Sequence, residues 1–543
     1  MFASFLLNKL AVADEIVYAD LVLENVNVFT VDKVNEEAEA IAIKNGKFVY
    51  VGDKEGVQAY KGPKTKVMHL DNQLLLPGII DGHVHAYLKV EELYCLDLSL
   101  YSTFVDYRQA IINYRKNHPN LTQICAIGWN EHVTTEASEL RGLTPLQLID
   151  EMVSDIPFVA ISNRRQELWV NGKTLKLFEQ GGYDNEKLKS IDSGIVRGYP
   201  SMANVVQALP QPDFTIEQYK NALLEFQKEA AKYGITAAFV PLHFNSINLL
   251  EALESLDKSD ELTLTFELGL YVDRFKGIEQ IETLKELREK YQGENYGINT
   301  VKIYSTSATF GGIFEEDFAW NQEQFNEMLA LLDQEGFRIH VHANGEGLEE
   351  IFKGFEFAAL QNGKRNFEHT ITHIPFVTKE DLALFRKYKL IPSTQPSTFY
   401  HTYGVEEEEE KVKNLHRMKS YIEKGLPVSS SSDYPFEEMN PFYGIESGMT
   451  RLHPKETDEQ LMPLWPKERA TLKQMLRSYT IYPARQIGKE EDIGKIRVGK
   501  QADFIVLDQN LFKIHPSKIS ETQVILTYFK GKEVYRHELL VEE

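Results

Sequence analysis

Two histidines one residue apart, His83 and His85, stand in the stretch LLLPGIIDGHVHAYL at 74–88. Side chains alternate along an extended strand, so both imidazoles project to the same side. Asp81 precedes His83 by two positions, and two imidazoles with a carboxylate on one strand end make half of a metal site. The apolar run leading into the pair marks the strand as buried, and buried imidazoles need partners, which a metal supplies. Other ionisable residues stand on other candidate strands: Lys302 within VKIYS, and at strand ends His342 in RIHVHANG, His369 in RNFEHT and Asp433 in SSSSDYP. Converging on one rim, these histidines and Asp433 form a donor set suited to zinc or a neighbouring divalent ion. His340 shares a strand face with His342 and is read as structural. His373 and His243 are weaker candidates.

The elements that must carry these residues fall into two patterns. From Tyr18 to Leu76 the chain alternates as β-strands do, with Asn45-Gly46 as a hairpin signal, and 496–508 and 524–535 have the same character. The two ends are expected to pair into one small β-sandwich, because a few strands alone are not a stable sheet. Between them, short apolar runs alternate with amphipathic helices, as in βα units. Eight candidate strands follow: IIDGHVH, then 236–242, 265–272, 300–305, 337–343, 366–371, 390–395 and 427–433. The fold class expected is α/β: a (β/α)8 TIM barrel with a composite β-sandwich from both chain ends. The parts are an extension at 1–17, sandwich segments at 18–75 and 488–543, and a barrel at 76–487. Residues 86–214 are too long a gap for a barrel loop and form an inserted lobe after strand one. Barrel active sites lie at the C-terminal ends of the strands, so this lobe starts where a substrate lid would.

Composition sets limits on partners. The 543 residues carry a formal net charge of −22, which argues against nucleic acid or an anionic membrane as the main partner. The acidic run 406–410 reads as a solvated helix or loop. Cys95 and Cys125 are too few for a disulfide framework or a cysteine-built zinc site. No run of about 18 apolar residues occurs, so no spanning helix is expected. The first residues, MFASFLLNKLAVADE, imperfectly match a secretion signal, because no charge precedes the apolar stretch and Asn8-Lys9 interrupt it. A cytoplasmic location is the expectation.

With these residues in view, the chain resembles the amidohydrolase superfamily of metal-dependent hydrolases, in its amidohydrolase-3 branch, which includes N-substituted formamide deformylases. The likeness covers about residues 18–536. It rests on LPGIIDGHVH, GWNE at 128–131, WVNGKTL at 169–175, HANGE at 342–346, SSDYPF at 431–436 and GKIRVGKQADFIVLD at 494–508. The resemblance implies that His83, His85 and Asp433 bind one metal, and that His342 and His369 hold a second or bind substrate. It implies a carbamylated Lys302 bridging two ions, zinc as the metal, a small-molecule substrate and a homodimer. The expected reaction is hydrolysis of an amide-type C–N bond by metal-activated water, with Asp433 as the proton acceptor. A deaminase or esterase on the same scaffold is the alternative, and a non-catalytic binding protein a more distant one. The chain departs from the branch pattern at Arg164, Arg165 and Gln166, and at Thr306-Ser307 after the strand-four lysine, so the specificity pocket is rewritten. Trp129, Arg164, Gln166, Trp169 and Tyr400 are the substrate-contact candidates.

Overall fold

The structure is a computed structural model and describes residues 18–163, 167–180, 193–197, 214–307, 317–343, 347–363, 365, 367–402, 409–456 and 460–538. Its centre is an eight-stranded parallel sheet. The barrel strands are β1 (Ile79–Asp81), β2 (Ile235–Pro241), β3 (Thr265–Tyr271), β4 (Tyr296–Tyr304), β5 (Arg338–Ala343), β6 (Thr370–His373), β7 (Ile391–Thr394) and β8 (Ser429–Ser430). Neighbours pair in chain order from β1 to β8. Backbone bonds from Gly82 N–H to Ser430 O at 3.1 Å and from Asp433 N–H to His83 O at 2.9 Å bring β8 back to β1. The molecule is therefore a TIM barrel, as the alternation of short apolar runs and helical stretches requires.

Period two shows directly on β2. Ala237 and Phe239 pack with Ile80, Ala484 and Ile487 in one cluster, while Ala238 and Val240 join the larger core beneath the helices. The helix Ile216–Lys232 starts at Thr215, whose side chain and that of Gln218 form a capping box. It buries Tyr219, Leu223, Phe226 and Ala230, spaced three or four apart, against that core. It and the helix Gln322–Gln334 are followed by Gly234 and Gly336, both at positive φ, the C-terminal stop that the sequence displays.

The chain ends share one further eight-stranded sheet. Leu74–Pro77 pairs with Phe504–Leu507, with Leu75 opposite Val506, and so joins the N-terminal strands to the C-terminal ones. Phe504 and Val506 face a core with Leu23, Ile41 and Phe48, whereas Ile505 and Leu507 face the barrel. The link to β1 is the single residue Gly78, where a Cβ would lie 2.1 Å from Thr236 Oγ1. Only glycine lets the two sheets approach there.

The inserted lobe leaves the barrel just after His85. It has a five-stranded sheet in which Ile124–Trp129 lies between Leu96–Asp97 and Phe158–Ser162. Cys95 and Cys125 form a disulfide with Cα atoms 4.9 Å apart. Two cysteines make no framework, but this bond ties the lobe's first segment to the strand Ile124–Trp129.

Candidate metal centre

His83 and His85 follow β1 directly, and the backbone hydrogen bonds between the ends of β1 and β8 lay them beside Asp433. The ligand atoms of His83, His85 and Asp433 all lie within 4.8 Å of one another. Asp433 Oδ1 is 3.5 Å from His83 Nε2 and 3.3 Å from His85 Nε2. The far side of each ring is held. His85 Nδ1 lies 3.1 Å from Pro241 O, which fixes a proton there and leaves the Nε2 lone pair turned inward. His83 Nδ1 is held by His340 Nε2 at 3.0 Å and Thr372 Oγ1 at 3.2 Å. His340 thus braces the His83 ring.

Asp81 does not join this cluster. Its carboxylate accepts from the Ser432 hydroxyl at 2.5 Å and from the backbone N–H groups of Ser432 and His83 at 3.1 Å each. Burial pushes its carboxyl up to about 7. Asp81 is the bracket that holds the ends of β1 and β8 together.

Asp433 itself has φ of 62°, a left-handed conformation that a residue with a side chain seldom adopts. Its Oδ1 makes no hydrogen bond among the described residues, and neither does the fully buried Nζ of Lys302. Burial pushes the Lys302 ammonium down to about 7 and holds Asp433 above the usual carboxylate range. Burial first, then neighbouring charges including Lys302, pushes His83 and His342 well below the usual imidazole range. Neutral imidazoles, an orphaned carboxylate and an orphaned amine in one enclosure are a donor set that fits a divalent cation.

The structure corrects the placement of His369. Strand six begins four residues later than its apolar run suggests, so His369 precedes β6 at the N-terminal end of the barrel. There its Nε2 lies 3.3 Å from Asp333, its Nδ1 accepts the Ile339 N–H at 3.1 Å, and its ring stacks on Phe355. The residue at the C-terminal end of β6 is His373, which sequence reasoning ranks low. Its ring lies 5.1 Å from that of His83 and 4.4 Å from that of His342, and its Nδ1 is 4.0 Å from Asp433. Its Nδ1 also lies 3.1 Å from Gln395 Oε1, and burial pushes it down to about 4. His342 and Lys302 are neighbours in register across β4 and β5, where Tyr304 pairs with His342 and Lys302 with His340. His243, just past β2, stacks on His85 with centroids 4.6 Å apart and bonds Tyr87 Oη at 2.7 Å.

The substrate candidates fare differently. Trp129 and Trp169 are fully buried in the core of the inserted lobe, stacked at 6.1 Å with Phe158 beside Trp169. Enclosed on all sides, they pack the lobe and do not present a face to a substrate. Tyr400 follows the turn Pro396–Thr398 beyond β7, its ring against His401 and His453. Arg164, Arg165, Gln166 and most of the acidic run 406–410 lie outside the described residues.

A TIM barrel with His-X-His after its first strand and an aspartate after its eighth defines a metal-dependent hydrolase. Comparison with known proteins gives the same class. The sequence profile of the amidohydrolase family matches residues 66–535, and the chain belongs to that family, as a hydrolase of carbon–nitrogen bonds. It is 22% identical to Protein LONG AFTER FAR-RED 3 of Arabidopsis thaliana, over 96% of this chain and 92% of that protein. It is 22% identical to N-substituted formamide deformylase of Arthrobacter pascens, over 96% and 98%. An uncharacterised metal-dependent hydrolase from Pyrococcus furiosus superposes with a TM-score of 0.70 at 20% identity, covering 90% of this chain and 99% of that one.

Proposed function

We propose that this chain hydrolyses the amide-type C–N bond of a small molecule, with zinc as the metal. The observation that carries the reading is the enclosure in which His83, His85 and Asp433 converge beside the unpaired Lys302 amine. A bound divalent ion supplies Lewis acidity there, lowering the pKa of water towards about 7 and polarising a carbonyl. The chain's own residues do the rest. His83 and His85 present Nε2 lone pairs, fixed by His340, Thr372 and the Pro241 carbonyl. Asp433 accepts the proton of the attacking water at a carboxylate oxygen and returns it to the departing nitrogen. His342 and His373 face the same space and bind either a second ion or the substrate carbonyl oxygen. Lys302, pushed down to about 7, has a large neutral fraction near neutral pH, the form that reacts with carbon dioxide. As a carbamate it would turn an orphaned buried cation into an anion able to bridge two ions.

The homodimer is part of the same proposal and is read by light scattering. So is the cytoplasmic location, where Cys95 and Cys125 would stand as thiols; in an oxidising compartment they form the bond seen here. Assaying the purified chain on an N-formyl amine, a simple amide, an ester and an amino-substituted heterocycle tests the reaction. Release of amine from the first two, reduced about 100- to 10,000-fold in Asp433→Asn, is the expected result. Ammonia from the heterocycle alone makes the chain a deaminase and overturns the amide reading, and turnover of the ester alone does so as an esterase.

A further inference from the structure

At the barrel end opposite the histidines lies a cavity of about 470 Å³. Among the described residues, seven lysines and arginines and three glutamates line it. Three of the cations are neutralised locally: Arg365 by Asp333 at 3.1 Å, Arg485 by Glu368, and Arg497 by Asp32. Arg338, Lys389, Lys495 and Lys500 remain, against Glu490 and Glu491.

Arg338 opens β5, and its guanidinium has no carboxylate of a described residue within bridging distance. Its Nη1 makes only long contacts of 3.4 Å to the carbonyls of Glu368 and Arg485, and its plane lies over Phe367. Gly488 leaves it room, since a Cβ there would lie 2.8 Å from Nη2. Desolvation disfavours its charge. Lys500 is buried, with Nζ turned to the Glu490 main-chain carbonyl. A chain whose overall charge is −22 thus gathers around one cavity cations that have no carboxylate partner among the described residues.

We propose that this cavity binds a small phosphate-bearing anion. A guanidinium fork flanked by ammonium groups matches the charge and tetrahedral oxygens of a phosphate better than a single carboxylate. The volume exceeds that of phosphate alone and falls in the range of small-molecule sites, so the occupant is a phosphorylated small molecule. Arg338 and His342 lie about 13 Å apart along β5. The site is thus separate from the metal centre but joined to it by one strand.

Isothermal titration of the full-length chain with inorganic phosphate and with phenyl phosphate tests this. The proposal expects saturable binding of at least one of them, one per chain, retained in Asp433→Asn and weakened about tenfold or more in Lys389→Gln/Lys495→Gln. Both lysines lie outside the barrel core, so the double variant reads the site even where Arg338→Gln does not fold. No saturable binding of either probe, binding indifferent to the double variant, or binding lost with Asp433→Asn overturns it.

Discussion

At the scale of single residues, His369 and His373 show what spacing can and cannot say. They are four apart, so they share a strand face whichever residue begins the strand, and alternation cannot choose between them. Only the start of β6 decides, and an apolar run locates a strand better than it locates its ends. His83, His85, Lys302, His342 and Asp433 were legible because each lies on or at the end of a candidate strand, in the expected order. The bracing partners, Thr372, Gln395 and the Pro241 carbonyl, carry no sequence signal and exist only through pairing between strands. Substitution separates the two histidines. His373→Ala is expected to lower kcat/KM about 100-fold or more with the melting temperature little changed. His369→Ala should leave kcat/KM intact and cost about 1–3 kcal/mol in denaturant unfolding, since it removes the partner of Asp333 Oδ1 and strands the Ile339 N–H.

At the scale of elements, the order of the eight barrel strands and their alternation with amphipathic helices were readable, because burial imposes the 2.0 and 3.6 periods, although the start of strand six was not. What the sequence conceals is the charge enclosed by those strands. Glu267, in β3, is fully buried, accepts the Asn299 N–H at 2.8 Å, and has its carboxyl pushed up to about 7 by burial. Its folded pKa exceeds its unfolded value, so its protonated form favours the fold. That contribution is complete below about pH 4.5 and is lost as pH rises through about 7. Glu267→Gln keeps a neutral acceptor at every pH. It should therefore be more stable than the parent by about 2–3 kcal/mol at pH 8 and equal to it near pH 4, in chemical unfolding followed at both values. Equal stability at pH 8 would show Glu267 to be charged and tolerated in the fold.

At the scale of the whole molecule, pairing of the two chain ends was foreseeable because neither set of strands makes a sheet alone. The Cys95–Cys125 bond was not, because a count of two says nothing about proximity until the lobe's sheet places them. The bond closes a separation of 30 residues, and loop-closure entropy makes it worth about 3–4 kcal/mol. Cys95→Ser should lower the melting temperature under oxidising conditions and match the parent under reducing ones.

The central claim is that His83, His85 and Asp433 hold a divalent ion. Metal content of the full-length chain purified without chelators tests it most directly, comparing the parent with His85→Ala, Asp433→Ala and Lys302→Ala. The account predicts at least one divalent ion per chain in the parent and little in His85→Ala and Asp433→Ala. A fall from two to one on loss of Lys302 adds the carbamate bridge. An undiminished ion in Asp433→Ala, or none in the parent, would contradict it.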